Sequence, residues 1–383
     1  MRAFALACRQ LIRQRARLAT AMAGVAFAVV LMLMQLGFRN ALFASAIRFH
    51  SHLRGDIILV SPRSMYLASM QSFSDRRLFE ALSVPGVSAV VPVYVSIGLW
   101  KNPVRGTAHR LLIAAFDPRR AALDLPEVVA QSERLREPDV VLFDAASRPE
   151  FGPVEQFLAQ GTMFETEVER RAITVGGLFR LGTSFGIDGS LITSDANFWR
   201  LFPNRRRGLI QFGLVRVENG EDPEVVRARI DERLPEDVEV LTKRGLMERE
   251  MNYWATAQPI GFVFTFGATM GFVVGFVIVY QILFSDVADH LGEYATLKAI
   301  GYGDSYLYRV VLYEAVLLAL TGFIPGVLIS AGLYQLTNHA THLPMHLSFV
   351  LAASMLALTV AMCVLSGLFA VRKIRSADPA EIF

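Results

Sequence analysis

The chain has 383 residues, 53% hydrophobic and 19% charged, with a formal net charge of +3. Soluble domains run at about 45–50% apolar and about 25% charged, and a mean hydropathy of +0.39 is reached only when long apolar stretches are present. The small positive balance gives no footprint for nucleic acid, and the two cysteines, Cys8 and Cys363, both outside the middle of the chain, give no disulfide framework.

Residues 1–17 form a basic, amphipathic N-terminal segment with Arg2, Arg9, Arg13, Arg15 and Arg17. Residues 18–38, LATAMAGVAFAVVLMLMQLGF, carry no charge. At about 1.5 Å per residue such a run reaches roughly 32 Å, enough for a hydrocarbon core of about 30 Å. A cleavable signal peptide is the competing reading, because Ala44-Ser45-Ala46 resembles a cleavage site. Its apolar core would be only about 7–15 residues, so we expect an uncleaved first span.

Residues 39–258 are far too many for a loop and read as an α+β extracytoplasmic domain. Runs rich in β-branched and aromatic residues predict strands at 56–61, 87–100, 110–116, 139–143, 172–179, 212–217 and 238–242. Helices are expected at 74–86, with Ser74 as N-cap, and at 222–235, with Asp222 as N-cap and Pro223 at the first helical position. Residues 245–257 read as a stalk helix running into the second span. No catalytic constellation stands out. His50 and His52 form an H-x-H pair, and His339, His342 and His346 cluster further on. They lack accompanying cysteines and an H-E-x-x-H pattern, so no metal site is expected. The glycine-rich phosphate loop of nucleotide hydrolases is also absent. The chain is therefore expected to be non-catalytic and to bind no cofactor itself.

Three further apolar runs follow: 259–284 and 347–371 are uncharged, and 310–333 carries only Glu314. Four spans in a one-plus-three arrangement result. The flanking Arg and Lys residues, including Arg372, Lys373 and Arg375 in the tail 372–383, place both termini in the cytoplasm by the positive-inside rule. Residues 39–258 and the short loop 334–346 are then outside, and 285–309 inside. Gly267, Gly271 and Gly275 make a small-residue ladder, which suits either a dimer seam or packing within the chain. Gly322, Pro325 and Gly326 predict a kink in the third span. Glu314 lies about a turn from the inner boundary and is expected to snorkel. The inner segment SDVADHLGEYATLKAIG has Ser285 as a cap and Asp286 and Asp289 in a first turn. Val287, Leu291 and Tyr294 share a face, so the segment reads as an amphipathic helix at the inner membrane surface.

Here the residues reach a family. GEYATLKAIGY, followed by Tyr313-Glu314 and the Gly322/Gly326 span, resembles the C-terminal region of FtsX/MacB-type ABC transporter permeases. Residues 84–106, with W-K-N-P, and 177–203, with L-G-T-S-F, resemble the external domain of the DevC family, as does the tail SADPAEIF. The resemblance implies a permease homodimer in the bacterial inner membrane, paired with an ABC ATPase dimer that carries the ATP and Mg. It assigns ATPase coupling to Gly292, Glu293, Tyr294, Ala295, Thr296, Leu297, Lys298, Ala299, Ile300 and Gly301. It further implies a periplasmic domain that engages a membrane-fusion adaptor and often an outer-membrane channel, with motion transmitted across the bilayer. The cargo associated with DevC-type systems is glycolipid. The competing class is an FtsX-like scaffold that controls cell-wall hydrolases, and W-K-N-P speaks against it. A membrane sensor would need a cytoplasmic output domain, and the inner segments are too short for one.

Overall fold

The computed structural model describes residues 15–160, 164–184, 186–293, 296, 300, 303–341 and 343–374. The chain divides into two compact units. One comprises Met1–Ala41, Ile260–Thr341 and Met345–Phe383; the other comprises Leu42–Pro259 and His342–Pro344.

The first unit is helical. Among the described residues four helices are long and apolar enough to cross a membrane: Arg15–Ala46, Pro259–Asp289, Tyr308–Thr341 and Phe349–Arg372. A helix satisfies its own backbone polar groups, as a bilayer requires. The first span supplies Ala21, Val25, Ala28, Val29, Met32 and Leu33 to a buried cluster with Val279 and Leu283 of the second, Ala315 and Leu318 of the third and Met355 and Met362 of the fourth. Glycines set this packing. A Cβ added at Gly275 would lie 2.5 Å from the Ala28 Cβ, at Gly271 3.1 Å from Met32 and at Gly267 2.6 Å from Gln35. The small-residue face of the second span therefore lies against the first span of the same chain. On the third span, a Cβ at Gly322 would meet Val25 at 2.5 Å and one at Gly326 would meet Val29 at 2.8 Å. The helix Asp304–Thr341 continues through Pro325, as membrane helices tolerate.

The second unit is the α+β domain. Its strands are β1 (Ile57–Val60), β2 (Phe73–Ser74), β3 (Val87–Lys101), β4 (Ala108–Phe116), β5 (Val140–Asp144), β6 (Phe164–Val168), β7 (Arg171–Phe179), β8 (Ser190–Ser194), β9 (Leu209–Ile210), β10 (Phe212–Val217) and β11 (Glu239–Thr242). Nine form one sheet in the order β11-β1-β10-β3-β4-β8-β5-β7-β6; β2 and β9 pair separately. A bridge between Trp100 of β3 and Val168 of β6 returns the strand path from β6 to β3. The pairings are antiparallel except β4 with β8 and β5 with β7.

Both faces of the central strands are covered. Ile57 and Leu59 enter one core with Leu111, Ile113 and Val141. Ile58 and Val60 enter the other with Leu112, Ala114 and Leu142. This explains why the strands read as continuous apolar runs rather than strict alternation.

Helix starts follow side-chain caps. Asp222 accepts from the Glu224 N–H at 2.9 Å, with Pro223 in the first turn. Thr242 caps Lys243–Asn252 by accepting from Gly245 at 3.2 Å. The Ser74 hydroxyl accepts from the Arg76 N–H at 3.4 Å at the start of the helix Arg76–Leu82, with Asp75 already helical. One expectation needs correction. Segment 245–257 is not one helix running on: Lys243–Asn252 is α-helical, Tyr253–Ala257 forms a π-turn, and Gln258 is extended. Pro259 explains the last step, because the residue before a proline is driven out of helical geometry.

Candidate functional site

The first site is built at the end of the second span. Ser285, Asp286 and Asp289 were expected to open a separate helix. They lie instead in the last turns of the helix Pro259–Asp289. Carboxylates at a helix C-terminus oppose its dipole. Arg17 of the first span offsets this: Nη1 reaches Asp286 at 3.2 Å, and Nη2 reaches Asp289 at 2.7 Å and the Ser285 hydroxyl at 2.5 Å. Ser285 therefore accepts from a guanidinium rather than capping a helix. The His290 Nδ1 lies 2.9 Å from the Asp286 carbonyl.

Glu314 departs from the snorkelling expectation. It is 1% exposed, and Asp286 is its ionisable neighbour. An ionisable group buried among spans faces protein because lipid would not solvate it.

Beyond this cluster, Gly292, Glu293, Thr296 and Ile300 are exposed. The Thr296 hydroxyl donates to the Gly292 carbonyl at 2.8 Å, and the Ile300 N–H donates to the Thr296 carbonyl at 3.1 Å. Both bonds span four residues, as in an α-helix. Ile300 is 70% exposed, an apolar side chain on an open surface. Tyr294, Ala295, Leu297, Lys298, Ala299 and Gly301 lie outside the described residues.

In the α+β domain, the two motif stretches prove to be anchors. Trp100 is fully buried and its indole N–H donates to the Phe151 carbonyl at 3.0 Å. Asn102 holds the turn after β3: its Oδ1 accepts from Val104 and Arg105, and its Nδ2 donates to the Glu150 carbonyl at 2.7 Å. The L-G-T stretch is held by Asp144, a buried carboxylate that accepts from the backbone of Ala146, Leu181 and Gly182 and from the Ser190 hydroxyl. Burial pushes the Asp144 carboxyl above its ordinary range, and the four hydrogen bonds work against that rise. Gly182 has φ +93°, and a Cβ there would lie 2.0 Å from the Arg48 guanidinium, so both conformation and space require glycine. Arg48 in turn donates to the Leu181 carbonyl at 3.2 Å.

His50 is buried, while the His52 ring meets the Asp124 carbonyl at 2.9 Å. No group of three or more His, Cys, Asp or Glu suited to a metal occurs among the described residues. Sequence reasoning missed the Arg17 clamp, Asp144 and the His50–Glu250 contact. No local pattern marks any of them, since each joins residues distant in the chain.

Two family models match the chain: the MacB-like periplasmic core domain over residues 18–233 and the FtsX-like permease C-terminal region over residues 265–379. Together they define a multi-pass permease of ABC type carrying a periplasmic core domain between its first and second spans. The chain belongs to the FtsX/MacB-like permeases. No curated protein matched. Among solved structures, the periplasmic region of MacB from Actinobacillus actinomycetemcomitans is 11% identical, covers 54% of this chain and 96% of its own, and has a TM-score of 0.36. The extracellular domain of the noncanonic ABC-type transporter YknZ from Gram-positive bacteria is 12% identical, covers 49% and 99%, and scores 0.34. A domain of a putative permease protein from Porphyromonas gingivalis is 14% identical, covers 49% and 89%, and scores 0.29.

Proposed function

We propose that this chain is the transmembrane subunit of an ATP-driven export complex, working by transmitting motion rather than by hydrolysing nucleotide. Permeases of this family normally work with an ABC ATPase. In our reading a dimer of that subunit binds ATP and Mg and pushes on residues 292–301 at the cytoplasmic face of the bacterial inner membrane. Both termini are cytoplasmic and residues 39–258 periplasmic. The permease acts as a homodimer, and its periplasmic domain engages a membrane-fusion adaptor, with or without an outer-membrane channel. The cargo class that fits the DevC resemblance is glycolipid or another lipid-like or small molecule.

One observation carries this reading. The exposed residues Gly292, Glu293, Thr296 and Ile300 directly follow the second span, within the stretch matched by the FtsX C-terminal model. Three changes, E293A, L297A and K298A, test it together. Insertion and folding should persist, while co-purification with its partner ABC ATPase and cargo export should fall at least tenfold. If both survive the triple change, the docking assignment is wrong.

A further inference from the structure

Two segments flank the α+β domain in the chain. One is the short helix Arg48–Ser51, just after the first long helix ends at Ala46; the other is Lys243–Asn252 with the turn Tyr253–Ala257, just before Pro259. His50 on the first and Glu250 on the second face each other inside the domain, with Nε2 3.8 Å from Oε2. The His50 and Glu250 side chains are 1% and 6% exposed. The two Glu250 oxygens are not equivalent. Oε1 accepts from the Trp254 indole at 3.1 Å and the Leu67 N–H at 3.3 Å. Oε2 has neither donor and points to the imidazole. His50 makes no side-chain hydrogen bond among the described residues, and the Ala46 carbonyl is its backbone neighbour. A cavity of about 10 Å³ borders the pair, lined also by Ser64, Tyr66 and Arg249. That is about the space of one water molecule, and both side chains are nearly buried.

A carboxylate with one bonded oxygen and one bare oxygen is costly in such a site unless the bare oxygen carries a proton or faces a cation. The groups around it do not supply a free cation. Arg249 is engaged with Glu239 of β11 at 3.1 Å and donates to the Pro62 and Ser64 carbonyls. Arg48 donates to Leu181. Strand β1, which also packs on this helix, contributes only Ile57, Ile58, Leu59 and Val60. The remaining titratable neighbours are the phenols of Tyr66 and Tyr253, stacked at 4.9 Å.

We propose that Glu250 and His50 form a proton-dependent latch: a proton on the pair keeps the segment entering the second span fastened to the segment leaving the first, and its loss loosens both. The balance is simple. With the proton on either atom the pair is net neutral; without it a bare carboxylate faces a neutral imidazole in a poorly solvated site. Burial pushes the Glu250 carboxyl up to about 7 and the His50 imidazole down to about 4, so the transition falls near neutral pH. The inference does not depend on the permease reading.

Hydrogen–deuterium exchange on the full chain in lipid nanodiscs tests it, corrected for intrinsic exchange and compared about one pH unit either side of the Glu250 value of about 7. Protection over residues 47–53, 64–70 and 246–257 should fall on the alkaline side in the native chain and should not fall in E250Q. The same pH response in E250Q, or none in the native chain, overturns the proposal. If E250Q fails to fold, infrared titration of the native chain decides. A protonated carboxyl band that disappears near neutral pH, and that is shifted in H50Q, supports the latch. Its absence refutes it.

Discussion

At the residue scale, buried polar groups hold loops in place. Asp144 shows the pattern: one carboxylate organises four donors from three separate stretches. Replacing it with Ala leaves those donors without their acceptor, and each costs about 1–3 kcal/mol when buried. D144A should therefore lower the stability of the α+β domain by roughly 3 kcal/mol or more, read as a drop in its unfolding midpoint. All three tryptophans, Trp100, Trp199 and Trp254, lie in that domain, so their emission follows it selectively. His50 and Glu250 shape its pH dependence in opposite directions. Glu250 is raised from 4.5 to about 7; its contribution is present below 4.5 and lost as pH rises through about 7. His50 is lowered from 6.5 to about 4; its contribution is present above 6.5 and lost as pH falls through about 4. Each corresponds to roughly 3 kcal/mol, so the two nearly cancel between. In E250Q only the histidine effect remains, and stability should climb steadily with pH from about 4 to about 6.5. In H50Q it should fall from about 4.5 to about 7. Parallel profiles in the two variants would refute this assignment.

At the element scale, the glycine ladder of the second span is decided by its neighbours. An added Cβ at Gly271 would stand 3.3 Å from the Leu31 Cβ, close to the roughly 3.5–4.5 Å separation of a disulfide. With Cys8 and Cys363 replaced by serine, the pair L31C and G271C should crosslink within one chain on oxidation, giving a faster-migrating monomer. A crosslinked dimer as the main product would contradict the intrachain contact. Gly292 is the control. Nothing lies within 4 Å of its added Cβ, so G292A should leave the unfolding midpoint unchanged, whereas G275L, driven into Ala28 and Met362, should abolish stable folding. The Arg17 clamp belongs to this scale too. Two acids at the end of one helix are tolerable because a guanidinium from another reaches both.

At the scale of the whole molecule, the chain divides its labour between a bundle of membrane helices and a two-core sheet domain. The sequence has no glycine-rich phosphate loop. The purified chain alone should show no ATP hydrolysis above the rate of its buffer, and addition of its cognate ATPase should restore turnover. Hydrolysis by the chain alone would overturn the permease reading.

Much of this architecture was legible in one dimension. Charge-free runs about 20 residues long announce membrane spans because length and solvation are properties of consecutive residues. The strands at 87–101, 108–116 and 171–179 showed themselves as apolar, β-branched runs for the same reason. The short strand Ser190–Ser194 and the helix Asp195–Leu201 were missed, because neighbours in the fold impose them against weak local preference. The family motifs were visible as words, but their meaning was not. Trp100, Asn102 and Gly182 serve packing and turn geometry, which follows from what Phe151, Glu150 and Arg48 present to them. The sequence by itself determined what enters the membrane and what stays in water, since that depends on the chemistry of contiguous stretches. Only the tertiary structure decided which glycines meet which span, that Arg17 clamps Asp286 and Asp289, and that Glu250 faces His50. Those are pairings over hundreds of residues, and short-range periodicity does not encode them.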